Sequence, residues 1–152
     1  MKPKIYVLIG LPGSGKSTWA KRKVGKEKNT VIVNKDSLRL MINGGKYVYD
    51  ECFENMIKDF ATTTMRIALG HGFDVIVDET NLTRDKRKIW NYIDMETIGV
   101  WFTESKRNLE YRLKDTRGYA PAQWMLVIEN MRDVFEKPTK DEFNKLIRVN
   151  KV

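Results

Sequence analysis

Ile5-Tyr6-Val7-Leu8-Ile9-Gly10-Leu11-Pro12-Gly13-Ser14-Gly15-Lys16-Ser17-Thr18 is the stretch on which the rest of the chain turns. Its first five residues are apolar, largely β-branched, and stopped by Gly10, the pattern of a short strand buried on both faces. Gly10 to Ser17 then matches G-x-x-x-x-G-K-[ST] in full, between that strand and the start of a helix, which is the context the motif requires. The glycines let the backbone curl so that its N–H groups point inward at phosphate oxygens, and the following helix N-terminus adds a favourable dipole end. Gly10, Leu11, Pro12, Gly13, Ser14, Gly15, Lys16, Ser17 and Thr18 are therefore expected to cradle a nucleoside triphosphate. In that cradle Lys16 reaches the β- and γ-phosphates and the Ser17 hydroxyl binds Mg²⁺.

Working outward, Thr30-Val31-Ile32-Val33 reads as a second buried strand, and Asn34 or Asp36 can cap a short helix after it. A long amphipathic helix is expected from Tyr49 to Leu69, carrying Phe53, Met56, Ile57, Phe60, Met65 and Leu69 and closed by Gly70. Phe73 to Val77, Ile98 to Phe102 and Lys145 to Val149 read as further strands. Helices are expected at Lys86–Met95, Leu109–Thr116 and Pro121–Glu136, the last with proline in its first turn. Strands alternating with helices imply an α/β fold, with a mostly parallel central sheet of four to five strands and helices on both faces. Ligands of such sheets sit beyond the carboxyl ends of the strands. Function is therefore sought at Gly10–Thr18, Asn34–Arg39 and Asp78–Asn81.

Composition narrows the class. At 152 residues the chain fits one domain, since roughly 100–200 residues per domain is usual. With 41% apolar and 11% aromatic residues it is no disordered basic tail. A single cysteine, Cys52, excludes a disulfide framework and a cysteine-based zinc site. No apolar run approaches the roughly 18–20 residues of a membrane span, and the short run at the N-terminus lacks a signal-peptide cleavage site. A cytoplasmic location follows as the expectation. The formal charge of +8 hints at an anionic partner, and it is unevenly placed. Residues 1–50 hold 11 basic and 3 acidic side chains, residues 51–100 hold 6 and 9, and residues 101–152 hold 11 and 8.

Asp78, at the end of the third strand, has the position of an acid that holds Mg²⁺ through water or orients Ser17. It could also simply cap the next turn. A motor or switch NTPase usually needs further domains, so a small kinase is the natural reading, and a kinase needs a base for the acceptor hydroxyl. Asp36 lies just past the second strand, and Arg39 follows one helical turn later. Together they could hold a hydroxyl and an adjacent anionic group, or be no more than a cap and a surface arginine.

Three segments together, Gly10-x-Pro12-Gly13-Ser14-Gly15-Lys16-Ser17-Thr18-Trp19-Ala20, Asn34-Lys35-Asp36-x-x-Arg39 and Asp78-x-Thr80-Asn81-Leu82, resemble the kinase module of phage-type polynucleotide 5′-hydroxyl kinases. The similarity continues through Arg117-Gly118 and the helix from Pro121 to Met131, although small-molecule kinases and zeta-type toxins share parts of it. The resemblance implies a P-loop kinase fold over residues 1–152, with a helical lid at about 105–120. It implies transfer of the γ-phosphate of Mg·ATP to the 5′-OH end of DNA or RNA, in the host cytoplasm if the chain is phage-encoded. Asp36 would be the general base, Arg39 would contact the neighbouring nucleic-acid phosphate, and Arg117 would reach from the lid to the transferring phosphoryl group. Thr80 and Asn81 would shape the acceptor side. The alternative is a kinase of a small metabolite or nucleotide sugar.

Two departures stand out. Family lids often carry a second arginine one turn before the first, where this chain has Leu113. Arg112 is one residue off, and on a continuous helix it would point about 140° away from Arg117. The Asp-x-Asp-Gly-Thr motif of the associated phosphatase is absent from the sequence, so kinase activity without 3′-phosphatase activity is expected.

Among the remaining features, His71 reads as a turn residue and Cys52 as packing. Met56, Met65, Met125 and Met131 read as core. Trp19 and Trp124 could be buried or could stack on bases. The Lys21-Arg22-Lys23 run with Lys26 and Lys28 could track a phosphate backbone or face solvent.

Overall fold

The structure, a computed structural model, describes residues 1–105 and 108–150. Five strands form one sheet in the order β2-β3-β1-β4-β5, with β1 Lys4–Ile9, β2 Thr30–Val33, β3 Asp74–Val77, β4 Glu96–Phe102 and β5 Lys145–Val149. Every pairing is parallel, with Ile5 opposite Val75 on one side and Thr97 on the other. This is the expected α/β architecture, and it explains why β1 is apolar from Ile5 to Ile9 rather than alternating. Ile5, Val7 and Ile9 face a core built from Val33, Ala61, Met65, Leu69, Val75, Val77 and Trp90. Tyr6 and Leu8 face a second core with Ala20, Ile76, Ile98, Val100 and Phe102. A parallel sheet covered on both faces requires such a strand.

The connecting helices are α1 Lys16–Lys26, α2 Lys35–Ile42, α3 Glu51–Gly70, α4 Arg84–Lys88, α5 Asn108–Lys114 and α6 Pro121–Asp133. No helix among the described residues is long and apolar enough to cross a membrane. Asn34, not Asp36, is the N-cap of α2, its side chain accepting from the Ser37 N–H at 2.8 Å.

Five expectations change. The helix expected over Lys86–Met95 shortens to α4, because Thr83 caps it early and the chain turns at Ile89 and takes a left-handed φ of 67° at Asp94. In α3 the seated stripe is Ile57, Ala61, Met65 and Leu69, while Phe53, Met56 and Phe60 are exposed. Those three lie about 40–100° around the helix from Ile57, beyond the reach of the sheet. Gly70 is the last residue of α3 rather than its stop, and the chain turns at His71 and Gly72. Cys52 is exposed rather than packed. Of the four methionines read as core only Met65 is fully buried, Met125 and Met131 being half-buried. Residues 106 and 107 of the expected lid lie outside the described residues.

One buried guanidinium ties the edge of the fold together. Arg87 on α4 donates Nε and Nη2 to Glu142 at 2.6 and 3.1 Å, and Nη1 to the carbonyls of Asn81 and Glu136 at 3.0 Å each. The two side chains are 2% and 6% exposed. Removing one partner strands a buried charge, so Arg87→Met should lower the unfolding free energy by about 3–5 kcal/mol, read from urea denaturation. Burial pushes the Glu142 carboxyl up, but the hydrogen bonds from Arg87 and the Thr139 N–H outweigh it and hold the group below the usual range. Its contribution is therefore present above the unfolded value of about 4.3 and is lost as pH falls through the lower folded value. Glu142→Gln should flatten the acid limb of the stability curve below about pH 4.5. An unchanged acid limb would remove Glu142 from that role.

Candidate active site

Because β2, β3 and β1 are neighbours, the segments that follow them converge on one cavity of about 950 Å³. Its walls include Gly13, Gly15, Lys16, Ser17 and Thr18 from the phosphate loop and Asp36 and Arg39 from α2. Asp78, Thr80 and Asn81 join from the segment after β3, and Arg117 from the segment after α5. The sequence-derived candidates from all three strand ends thus meet.

The phosphate loop depends on backbone that side chains disfavour. Gly13 and Gly15 have φ of 76° and 94°, and Gly15 is the residue from which α1 begins. A Cβ on Gly13 would sit 2.8 Å from the Asn108 carbonyl and 3.0 Å from the Arg112 Cγ, so α5 lies directly over the loop. Lys16 is buried, its Nζ donating to the Leu11 carbonyl at 3.0 Å and reaching Ser14 Oγ at 3.4 Å. Burial lowers its pKa to about 8, opposed by Asp78 and reinforced by Arg117 and Arg112. A desolvated ammonium in the cavity lining, with only neutral oxygens as hydrogen-bond partners, suits an anionic ligand.

Asp78 is 6% exposed, and its carboxylate takes no hydrogen bond or ion pair among the described residues. Ser17 is exposed at the cavity wall. Hard oxygen donors of this kind, a hydroxyl and a carboxylate, fit Mg²⁺, which keeps several of its own waters. Among the described residues no group of three or more His, Cys, Asp or Glu gathers to make an all-protein metal cage. The phosphate loop and these two oxygens therefore fit a magnesium nucleotide.

Also lining the cavity, the Asp36 carboxylate stands between two guanidinium groups. Arg39 Nη1 donates to Oδ1 at 2.7 Å, and Arg117 Nη2 lies 3.1 Å from Oδ2. Arg39 also donates Nε and Nη2 to Glu54 on α3 at 2.9 and 2.7 Å, and it is only 7% exposed. It is not a surface arginine. Arg117 has a left-handed φ of 53° and sits between the rings of Tyr47 and Trp124, 5.9 and 5.1 Å from their centroids. Tyr47 reaches Asp36 as well, and burial first, then that carboxylate, pushes its phenol up.

Thr80 and Asn81 contribute differently. Thr80 lines the cavity, and its carbonyl accepts from the Gly10 N–H at 3.0 Å. Asn81 is buried, donating Nδ2 to the Leu8 carbonyl at 2.7 Å and accepting from Trp90 Nε1 at 2.9 Å. Both ends of its amide hold the scaffold. Glu79 beside them accepts from the Lys35 N–H, and burial, opposed by that bond, raises its pKa to about 7. Trp19 packs against Tyr6 and Phe102, whereas Trp124 is buried at the cavity wall and stacks on Tyr119. Lys23 lies over Tyr6 and pairs with Glu27, so it leaves the basic run, while Arg22 reaches the cavity wall.

Sequence reasoning discounted Arg112, and the structure brings it in. Its Nε donates to the Pro12 carbonyl of the phosphate loop at 2.7 Å, and its buried Nη2 lacks a hydrogen-bond partner, lying 3.6 Å from Glu104. Because α5 ends at Lys114, Arg112 and Arg117 do not share a helix, and the 140° separation of a continuous helix does not apply to them. Glu54 and Tyr47 carried no local motif. The only sequence signals for them were a carboxylate in the first turn of α3 and an aromatic in the loop before it.

Comparison with known proteins agrees with this geometry. The family model described as AAA domain, AAA_33, matches residues 5–138. The chain is 32% identical over 143 residues to an L-seryl-tRNA(Sec) kinase of Methanococcus maripaludis, covering 88% of this chain and 53% of that protein. A chain in the structure of the Pnkp1/Rnl/Hen1 complex is 29% identical with a TM-score of 0.62, over 78% of this chain and 40% of that one. The APS kinase CysC of Mycobacterium tuberculosis, solved in complex with AMPPNP and APS, shares the fold at a TM-score of 0.69 and 16% identity, over 99% and 91% of the two chains. The chain spans about half the length of the seryl-tRNA kinase it matches. A family match across most of the sequence, on a complete phosphate loop beneath a parallel sheet, places it: the chain belongs to the AAA_33 family of P-loop kinases.

Proposed function

We propose that the chain is a polynucleotide 5′-hydroxyl kinase module, transferring the γ-phosphoryl group of Mg·ATP to the 5′-OH end of DNA or RNA, with Asp36 as general base. The observation that carries this reading is the Asp36 carboxylate lining the same cavity as Lys16 and Ser17, joined to it through Arg117, which pairs with Asp36 and whose charge acts on Lys16. The preference for a nucleic-acid acceptor rests on the combination of Asn34-Lys35-Asp36-x-x-Arg39 with Asp78-x-Thr80-Asn81, and on the formal charge of +8. It is in keeping with a relative named as a kinase of seryl-tRNA.

Each residue then has a task. Lys16 and the loop amides would hold the phosphates, and Ser17 and Asp78 would hold Mg²⁺, which when bound would supply positive charge against the charge developing on the phosphoryl group. Asp36 takes the proton of the acceptor hydroxyl as the bond to phosphorus forms. For that, Asp36 Oδ2 must exchange Arg117 for the hydroxyl, which releases the Arg117 cation toward the transferring group. Arg39 stays on Oδ1, with Glu54 behind it, and fixes the carboxylate's orientation. Thr80 shapes the acceptor wall, and Asn81 supports it from behind.

Labelled γ-phosphate should be transferred to a 5′-OH oligonucleotide in preference to nucleosides, sugars and adenosine phosphosulfate. Label appearing only on a small metabolite would overturn the reading in favour of a metabolite kinase. Asp36→Asn should lower kcat by about 10²–10⁴-fold while ATP binding persists, and retained turnover would remove Asp36 as the base. Gly13→Ala adds a methyl group to left-handed backbone, costing about 1–2 kcal/mol before its clash with Asn108 and Arg112. It should weaken ATP binding by at least about tenfold, measured as loss of the ATP-induced rise in Tm.

A further inference from the structure

Helix α3 turns an apolar strip away from the sheet. Phe53, Met56 and Phe60 are 39%, 39% and 44% exposed, and Ile67 is 59% exposed. Single exposed apolar side chains are ordinary on a protein surface. These four instead follow a repeat. Phe53, Phe60 and Ile67 fall at the a positions of a heptad, and Met56, the exposed Thr63 and Gly70 fall at the d positions. On a helical wheel the centre of this strip lies about 150° from that of the stripe Ile57, Ala61, Met65 and Leu69, which seats on the core. The strip runs nearly the whole of α3, which at 20 residues is about 30 Å long, and none of its residues lines the cavity.

The strip is complementary to itself in one arrangement. When two copies of α3 run antiparallel, a positions of one meet d positions of the other. Phe60 then meets the partner's Thr63, Met56 meets the partner's Ile67, and Phe53 meets the partner's Gly70. Each phenyl ring thus lies opposite a small residue. A Cβ built on Gly70 would have nothing within 4 Å, so the surface there is open to a ring from outside. In the same register Asp59, at a flanking g position, stands opposite the partner's Arg66, and the two-fold axis repeats the pair. Asp59 and Arg66 are exposed, and neither side chain has an ion pair among the described residues. Seven residues apart, about 10 Å along one helix, they cannot pair within the chain. A shift by one heptad sets Asp59 against the partner's Asp59, or, in the other direction, Arg66 against the partner's Arg66. A parallel pair stacks Phe53 on the partner's Phe53 and leaves Asp59 beside the partner's Thr64. Shape and charge agree in the first register alone.

We propose that the chain pairs with a second copy of itself through α3, as a two-fold antiparallel dimer. Phe53, Met56, Phe60, Thr63 and Ile67 form its seam, and Asp59 with the partner's Arg66 forms the ion pairs that flank it. The contact is isologous and closes on itself, so it makes a dimer and not a filament. Exposed ion pairs contribute little each, so the apolar strip supplies the affinity and the charges select the register. Glu54, which holds Arg39, sits in the first turn of α3 next to Phe53, so pairing also braces the end of the helix that carries this carboxylate. The inference does not depend on the kinase reading.

Sedimentation equilibrium of the 152-residue chain tests it. Between about 5 and 200 µM, wild-type protein should pass from monomer toward dimer mass. Phe60→Glu should stay monomeric throughout, with an unchanged Tm showing that it is folded. Asp59→Arg and Arg66→Asp should each weaken association by about fivefold or more, since either one turns two attractions into two repulsions. Both reversals in one chain restore opposite charges across the seam, and the dissociation constant should return to within about twofold of wild type. Wild-type protein that remains a monomer at about 200 µM would overturn the proposal and leave the strip to a different polypeptide. A dimer that survives Phe60→Glu would place the interface elsewhere. A double reversal that binds no better than the single ones would overturn the antiparallel register. Phosphate transfer is read separately on the same samples. Transfer by a protein that never dimerises sinks the dimer alone, and a dimer that phosphorylates no oligonucleotide sinks the kinase reading alone.

Discussion

Asn81 is the point on which the carboxyl edge of the sheet depends. Its amide closes on the Leu8 carbonyl of β1 and on the Trp90 indole, while its own carbonyl takes Arg87. Next to it the Thr80 carbonyl receives the Gly10 N–H, the first residue of the phosphate loop. Backbone groups at buried strand ends must find partners. Here those partners are drawn from the loops that form the cavity. The result is that the phosphate loop and the acceptor wall are bonded to each other before any ligand arrives. Asn34 makes the parallel connection, donating to the Asp78 carbonyl at 2.7 Å while capping α2. The position of Asp36 relative to Lys16 is therefore a property of the scaffold.

Charge is organised on top of that scaffold. The Asp36 carboxylate is held from both sides by guanidinium groups, one fixed by Glu54 and one carried on a loop between two aromatic rings. The fixed one orients; the other is free to change partner at the cost of one ion pair. The excess of basic residues in the first third of the chain also acquires a finer meaning. Lys16 lines the cavity beside the phosphate loop, Arg39 is neutralised internally, Lys23 covers Tyr6, and Lys35 lies over Trp90 with the Glu79 carboxylate near enough to act on its charge.

Much of this was legible in the sequence, for physical reasons that can be named. The phosphate loop is contiguous, so its chemistry is written in adjacent residues. The strands β2 and β5 match their expected bounds because apolar β-branched runs bounded by turn residues have few other solutions. What was hidden depends on distance along the chain. Glu54 neutralises Arg39 from fifteen positions away, and no local pattern marks it. Arg112 was discounted by extending a helix past Lys114, where the chain in fact leaves it, so a wheel drawn through Arg117 had no meaning. Phe53, Met56 and Phe60 looked like core because periodicity reports an apolar face but not how wide a strip the sheet covers.

The central claim is that Asp36 is the base and that Arg117 must leave it for the reaction to proceed. A crystal structure with Mg·AMPPNP and a 5′-OH oligonucleotide tests this directly. The account predicts the terminal hydroxyl within about 2.6–3.2 Å of the Asp36 carboxylate, in line with the γ-phosphorus, and Arg117 moved onto the phosphate oxygens. A hydroxyl bound elsewhere, with Arg117 still on Asp36, would contradict it.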